Sequence, residues 1–132
     1  MQAKHPDTVP VARRILEWAK INVRNIWWGE GTQAGSFIPI FRQNGIDHQL
    51  FVVYTYGRLE TFFQHYQRKP PFDLESLRIE NLNRLNAIPG ITLAPESISK
   101  RPSISLEELS EDGRIELLLA VYAWVLEQIR NT

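Results

Sequence analysis

From Val11 onward the apolar residues Val11, Ile15, Trp18, Ala19 and Val23 return at helical spacing, with polar residues between them. A repeat of three and four residues predicts a helix that lays one side on a core. Asp7 or Thr8 can cap it, and Pro10 fits its first turn, where the missing amide would have had no partner. The helix should end between Asn22 and Asn25. Ile26-Trp27-Trp28 then reads as a short strand or as a turn into the next loop.

The period changes after Gly35. Three runs rich in Phe, Tyr, Val, Ile and Thr, at residues 36–43, 47–56 and 58–67, are separated by glycines. That composition is typical of strands divided by turns. Asn44-Gly45 is a strong hairpin signal, because both residues tolerate the positive φ of a type I′ turn. Gly57 supplies a second reversal. The expectation is an antiparallel meander whose strands pair in sequence order. Arg68-Lys69-Pro70-Pro71 ends it, since consecutive prolines cannot donate ladder hydrogen bonds.

Asp73 is a good cap for a second helix running to about Ala87, with Phe72 and Leu77 placed as a hydrophobic staple and Pro89-Gly90 as the stop. Leu74, Leu77, Leu82, Leu85 and Ile88 project onto one arc roughly 140° wide. Arg78 and Asn81 fall inside that arc. A guanidinium there either lays its stem on the core with its head wet or paired to a structural carboxylate, or it reaches the sheet near Glu60 and Tyr54 as a fork for a carboxylate or phosphate.

Ile91-Thr92-Leu93 and Ser103-Ile104-Ser105 read as short strands, and Leu106 to Leu109 as a helical turn. The last helix should run from near Glu111 to Arg130, with acidic residues at its start and a cation at its end, as the helix dipole favours. Ile115, Leu118, Leu119, Tyr122, Val125, Leu126 and Ile129 form one seam about 120° wide. Leu117, Val121 and Trp124 lie nearly opposite. Two stripes imply a helix sandwiched within the domain or a seam used by a partner, a homodimer included. The whole pattern is that of one α+β domain over residues 1–132, with an antiparallel meander of three to five strands packed with about three α-helices.

Composition narrows the chemistry. The chain has 132 residues and no cysteine, so a disulfide framework and a thiolate metal site are both excluded. There is no apolar signal core at the start and no run long enough for a membrane span, which predicts a cytoplasmic protein without membrane contact. Net charge is zero, yet residues 1–102 hold 13 Lys and Arg against nine Asp and Glu, while residues 103–132 hold two against six. The bland account is a solvated surface with an acidic end. The sharper one is a basic face that meets phosphates, drawing on Arg42, Arg58, Arg68, Lys69, Lys100 and Arg101.

Catalytic constellations are thin. The glycine-rich loop from Gly29 to Gly35 lacks the Gly-Lys-Ser/Thr ending of a P-loop and leads into a strand. Asp47 ahead of Glu60-Thr61-Phe62 imitates a restriction-type metal site, but Phe62 stands where the lysine should be. His48 and His65 are candidates for cross-strand neighbours, without enough ligands for a metal. No serine sits in a nucleophile elbow. No catalytic residue, metal or cofactor is assigned. Alternate residues of a strand share a face, so Tyr54 and Tyr56 share one, as do Arg58, Glu60, Phe62, Gln64 and Tyr66 on the next. These aromatics are either core or a platform that stacks exposed bases.

The combination Trp27-Trp28-Gly29, Gly35-Ser36-Phe37-Ile38-Pro39, Thr55-Tyr56-Gly57-Arg58, Pro70-Pro71-Phe72-Asp73, Leu85-Asn86-Ala87-Ile88-Pro89-Gly90 and Arg101-Pro102-Ser103-Ile104 resembles a family of small uncharacterised bacterial proteins and domains, over nearly the whole chain. Such domains stand alone or accompany restriction-type and defence-associated proteins. The resemblance implies an accessory role near nucleic acid or a nuclease partner and carries over no catalytic residue. The expected function is a non-catalytic binding or interaction module contacting nucleic acid or such a partner. The alternative is a small-molecule or anion-binding domain, or a degenerate enzyme, using a groove between the sheet and the second helix.

Overall fold

A computed structural model describes residues 8–29, 35–54, 57–111 and 113–131. Helix α1 spans Thr8–Asn22 and leads into strand β1, Asn25–Gly29. Strands β2 (Ser36–Gln43), β3 (Ile46–Gln49), β4 (Phe51–Tyr54) and β5 (Arg58–Thr61) follow, then a single turn of helix, α2, at Phe63–Tyr66. Helix α3 is Glu75–Asn86, β6 is Ser103–Ser105 between two 3-10 turns, and α4 is Arg114–Arg130. All strands are antiparallel in the order β1-β2-β4-β5-β6, with β3 also on β2. This is the expected α+β meander with helices.

Asn44 and Gly45 both take positive φ, 54° and 80°, and the β2–β3 hairpin turns on them. The second run of the meander is one strand broken in two. Ile40 stands opposite Gln49 but Phe37 stands opposite Val53, so the β3–β4 side holds one extra residue. That residue is Leu50, whose N–H donates to the Pro39 carbonyl at 3.1 Å. Pro39 has no N–H to give the ladder, and a proline inside a central strand is tolerated at such a bulge. Leu50 and Phe51 are consecutive and both fully buried.

Trp28, Phe37, Val53, Leu59 and Ile104 occupy neighbouring register positions on one face of the sheet. Phe51, on the same face, lies 6.5 Å from the Trp18 ring of α1 and 4.5 Å from Tyr122 of α4. The two helices therefore cover this face around Phe51, while Trp28 at its β1 edge stays 55% exposed. The opposite face carries Trp27, Ile38, Val52, Tyr54, Arg58 and Glu60, and no helix packs on it among the described residues. No helix among them is long and apolar enough to cross a membrane.

Four expectations are corrected. The third run ends as a strand at Thr61: residues 63–66 are helical, and Tyr66 turns into the core instead of sharing a face with Arg58 and Glu60. Ile91–Leu93 is not a strand. Asn86 instead grips Leu93 from both sides, accepting from its N–H at 2.6 Å and donating to its carbonyl at 3.0 Å. A side-chain amide thereby stands in for a ladder partner. The N-cap of α3 is Leu74, not Asp73, and no side chain caps it. The last helix begins three residues later than expected, after Gly113 at φ 83°.

The second stripe of α4 is largely covered from within. Trp124 meets Phe72 edge-on at 5.8 Å and lies under the Arg84 guanidinium at 4.3 Å. Val121 is buried, and Leu117 alone of the three remains exposed, at 47%. α4 is thus sandwiched between sheet and α3.

Asn86→Ala removes both bonds to Leu93 and leaves two backbone groups half-buried without partners. Urea unfolding should show a loss of about 1–3 kcal/mol. An unchanged midpoint would mean that the 87–94 segment is held by its apolar residues alone.

Candidate functional site

Of the six cations expected to share a face, Arg42, Arg68, Lys69 and Arg101 gather around Asp47 and His65, whereas Arg58 sits further along β5 against Ser103 and Lys100, next to Arg101, alternates to the other side. Arg42 pairs with Asp47 across the hairpin at 2.8 Å. Lys69 donates to the Asp47 backbone carbonyl. Arg101 reaches Glu60 at 3.0 Å and lies 4.5 Å over the Phe62 ring, whose edge His65 meets at 4.9 Å. Arg58 donates through Nε to Ser103 Oγ at 2.5 Å. Lys100 and Arg68 are exposed, and Arg68, Lys69 and Arg101 all act on His65 electrostatically.

Local folding explains this convergence. The Thr61 and Gln64 N–H groups donate to the Pro102 and Lys100 carbonyls at 3.1 and 2.9 Å. These bonds continue the β5–β6 ladder past its formal end, so Arg101 alternates onto the same face as Glu60 and Phe62. The α2 turn then places His65, Arg68 and Lys69 against the base of the hairpin.

The two histidines register the positive field. Burial holds the His48 imidazole below its usual pKa, Lys69 lowers it further and Asp47 opposes. His65 is lowered by burial first, then by Arg101, Lys69 and Arg68. Both imidazoles stay neutral where an unperturbed one begins to charge.

Tyr54 stands directly opposite Arg58 and, on its other side, Ser36. Glu60 and Ser103 continue the same face. Trp27 is 54% exposed there. By sequence residues 26–28 fit a strand or a turn equally, and it is the strand β1 that sets Trp27 on this face. Tyr56 and the Gly29–Gly35 loop interior, residues 30–34, lie outside the described residues.

Arg78 and Asn81 do not join this site. Arg78 is 8% exposed, and its Nη1 donates to the Phe72 and Asp73 carbonyls at 2.9 and 3.2 Å. It is neither wet-headed nor paired to a carboxylate: it braces the loop that precedes its own helix. Glu60, the partner expected for it, belongs to Arg101. Asn81 is fully buried, and neither side-chain atom has a hydrogen-bond partner. The helical projection placed both residues correctly inside; it could not place them beside Glu60 and Tyr54.

Asp47 and Glu60 sit on different strands and each is engaged by an arginine, unlike the paired acids of a metal-dependent nuclease. Among the described residues no group of three or more His, Asp and Glu is placed to hold a metal. A second polar cluster lies in the core. Tyr66 donates to the Leu50 carbonyl at 2.5 Å, and burial raises the pKa of both Tyr66 and Tyr122. The Thr61 hydroxyl lies near enough to oppose that rise, although it forms no well-aligned hydrogen bond with either phenol.

No protein-family model, no curated protein and no solved structure matches this chain.

Two outcomes separate site from scaffold. Arg78→Leu should cost about 1–3 kcal/mol in urea unfolding, because buried carbonyls lose a charged donor. Asn81→Leu should be neutral or stabilising, since an unpaired buried amide is replaced by an apolar group of similar volume. A marked loss for Asn81→Leu would overturn the reading of Asn81 as unpaired.

A second prediction concerns pH. Folded His48 and His65 bind fewer protons than the unfolded chain, so their contribution is complete above about pH 6.5 and is lost as the pH falls below it. The melting temperature should drop between about pH 7.5 and 5.5. In Arg101→Ala the NMR titration of His65 should move upward. No movement would place Arg101 outside its field.

Proposed function

We propose that this chain is a non-catalytic module that binds single-stranded nucleic acid on the open face of its sheet. The observation that carries the reading is the placement of Trp27, Tyr54 and Arg58 on one sheet face, on which no helix packs among the described residues, with Arg101 on the β5 side of that face. Trp27 and Tyr54 lie on strands two spacings apart, about 10 Å, so each ring meets a different base. Stacking on aromatic rings together with a positive track is how single strands are held without sequence readout.

Charge favours the same partner. Among the described residues the carboxylates paired with the six cations are Asp47, held by Arg42, and Glu60, held by Arg101, which leaves Arg58, Arg68, Lys69 and Lys100 without a carboxylate partner there. Glu60, which would repel a phosphate alone, is screened by Arg101. The accessory role implied by the resemblance to small bacterial proteins fits a module of this kind, working beside a protein that cuts or modifies the strand.

Fluorescence anisotropy against single- and double-stranded oligonucleotides at low salt tests the reading. Single strands should bind better, and the logarithm of affinity should fall against the logarithm of salt with a slope of roughly −2 to −4, as for three to five phosphate contacts. Trp27→Ala should weaken binding by about 5- to 100-fold, the range for losing one stacked base. Flat curves with both nucleic acids would end the proposal.

A further inference from the structure

The β1 ladder ends where Asn25 faces Ile40, while β2 runs on to Gln43. The overhang leaves a cleft of about 500 Å³ lined by Arg24, Asn25, Ile40, Phe41 and Arg42. That volume lies within the range of small-ligand sites, roughly 300–1,000 Å³. Two arginines, one asparagine, one phenylalanine and one isoleucine line it, and among the described residues no carboxylate does. Asp47 engages only Nη1 of Arg42, so most of that five-donor fork remains for a ligand. Arg130, outside the lining, lies 5.2 Å from the Phe41 ring.

The backbone contributes as well. Successive residues of a strand direct their N–H and C=O groups to opposite edges. The Pro39 carbonyl accepts from Leu50 on the β4 edge. Arg42, three residues further, therefore turns its N–H to the β1 edge, past the point where β1 stops.

We propose that this cleft binds a phosphomonoester, its phosphate held between Arg24 and Arg42 and its organic part laid against Ile40 and Phe41. A planar guanidinium fork matches phosphate oxygens two at a time. A dianion balances two arginines, which a carboxylate cannot. The room beyond the phosphate accepts an attached ring. Two sources share this chemistry: a free mononucleotide, and the phosphorylated end of a nucleic-acid strand. The inference stands on the cleft alone and survives if the open sheet face binds nothing.

Isothermal titration with adenosine 5′-monophosphate, adenosine and inorganic phosphate tests it, using the whole chain. The monophosphate should bind at least about tenfold more tightly than adenosine, the difference expected from charge-assisted hydrogen bonds to the phosphate. Arg24→Ala should remove that preference, and Arg24→Lys should restore part of it. Arg24 is exposed, so the melting temperature of both variants should match the parent, which separates loss of binding from loss of fold. A second arm compares oligonucleotides ending in a 5′-phosphate or a 5′-hydroxyl. A preference for the phosphate that disappears in Arg24→Ala assigns the strand end as ligand, and monophosphate binding without that preference assigns the free mononucleotide. Equal binding of monophosphate and adenosine, no binding of either, or an Arg24→Ala variant that keeps the preference would overturn the proposal.

Discussion

The Leu50 bulge is the constraint on which the arrangement of this protein depends. Pro39 sits in the middle of β2 and cannot complete a regular ladder on its β4 side. The extra residue opposite it turns Leu50 and Phe51 together into the core and frees the Leu50 carbonyl from strand pairing. A buried carbonyl without a partner costs on the order of 1–3 kcal/mol. Tyr66 meets it with its hydroxyl, and that bond ties α2 to the bulge. His65, Arg68 and Lys69 belong to α2 or leave from it, so the cation cluster inherits its position from an internal hydrogen bond. Phe51, set by the same bulge, is also the residue on which α1 and α4 converge.

Surface ion pairs do little to hold such a fold. Arg42–Asp47 is more than half exposed on both sides, and exposed pairs contribute about 0–1 kcal/mol. Arg101–Glu60 is less exposed, and its guanidinium also covers the Phe62 ring, a contact of packing as much as of charge. These arginines can therefore exchange a carboxylate for a phosphate at small cost to stability. Arg78 is the opposite case: buried, bonded only to carbonyls of its own approach loop, and tied to the scaffold.

The meander, its hairpin and the long helices were legible because each is signalled locally. Asn44-Gly45 specifies a turn type, and the apolar seams of α1 and α4 repeat at helical spacing. What escaped depends on distant partners. Thr61 to Tyr66 is rich in strand-forming residues, yet the chain turns into a helix there because Tyr66 is drawn to the Leu50 carbonyl. Ile91–Leu93 has strand composition but finds the amide of Asn86 instead of a strand. For Arg78 and Asn81, the projection correctly gave burial, a property of their own helix. It could not give the partner, which depends on how the preceding loop folds back. The basic cluster was visible only as a surplus of charge; its grouping around α2 needed the bulge.

The two faces of the sheet set different problems. Helices α1 and α4 dry the inner face except at its β1 edge, where Trp28 is 55% exposed, and α3 covers the second stripe of α4 except at Leu117. On the outer face no helix forms such a layer among the described residues. Val52 is nevertheless only 2% exposed there, and Ile38 and Tyr54 of the same face are partly buried against the core cluster to which it belongs. Trp27 has no comparable cover at the edge of the sheet. A large ring left 54% exposed at the edge of the sheet is not needed to close the core. Trp28, its neighbour on the other face, is 55% exposed as well, so two indoles on adjacent positions leave the β1 edge the least covered part of the sheet, and it is this edge that the proposed contact with a single strand draws on.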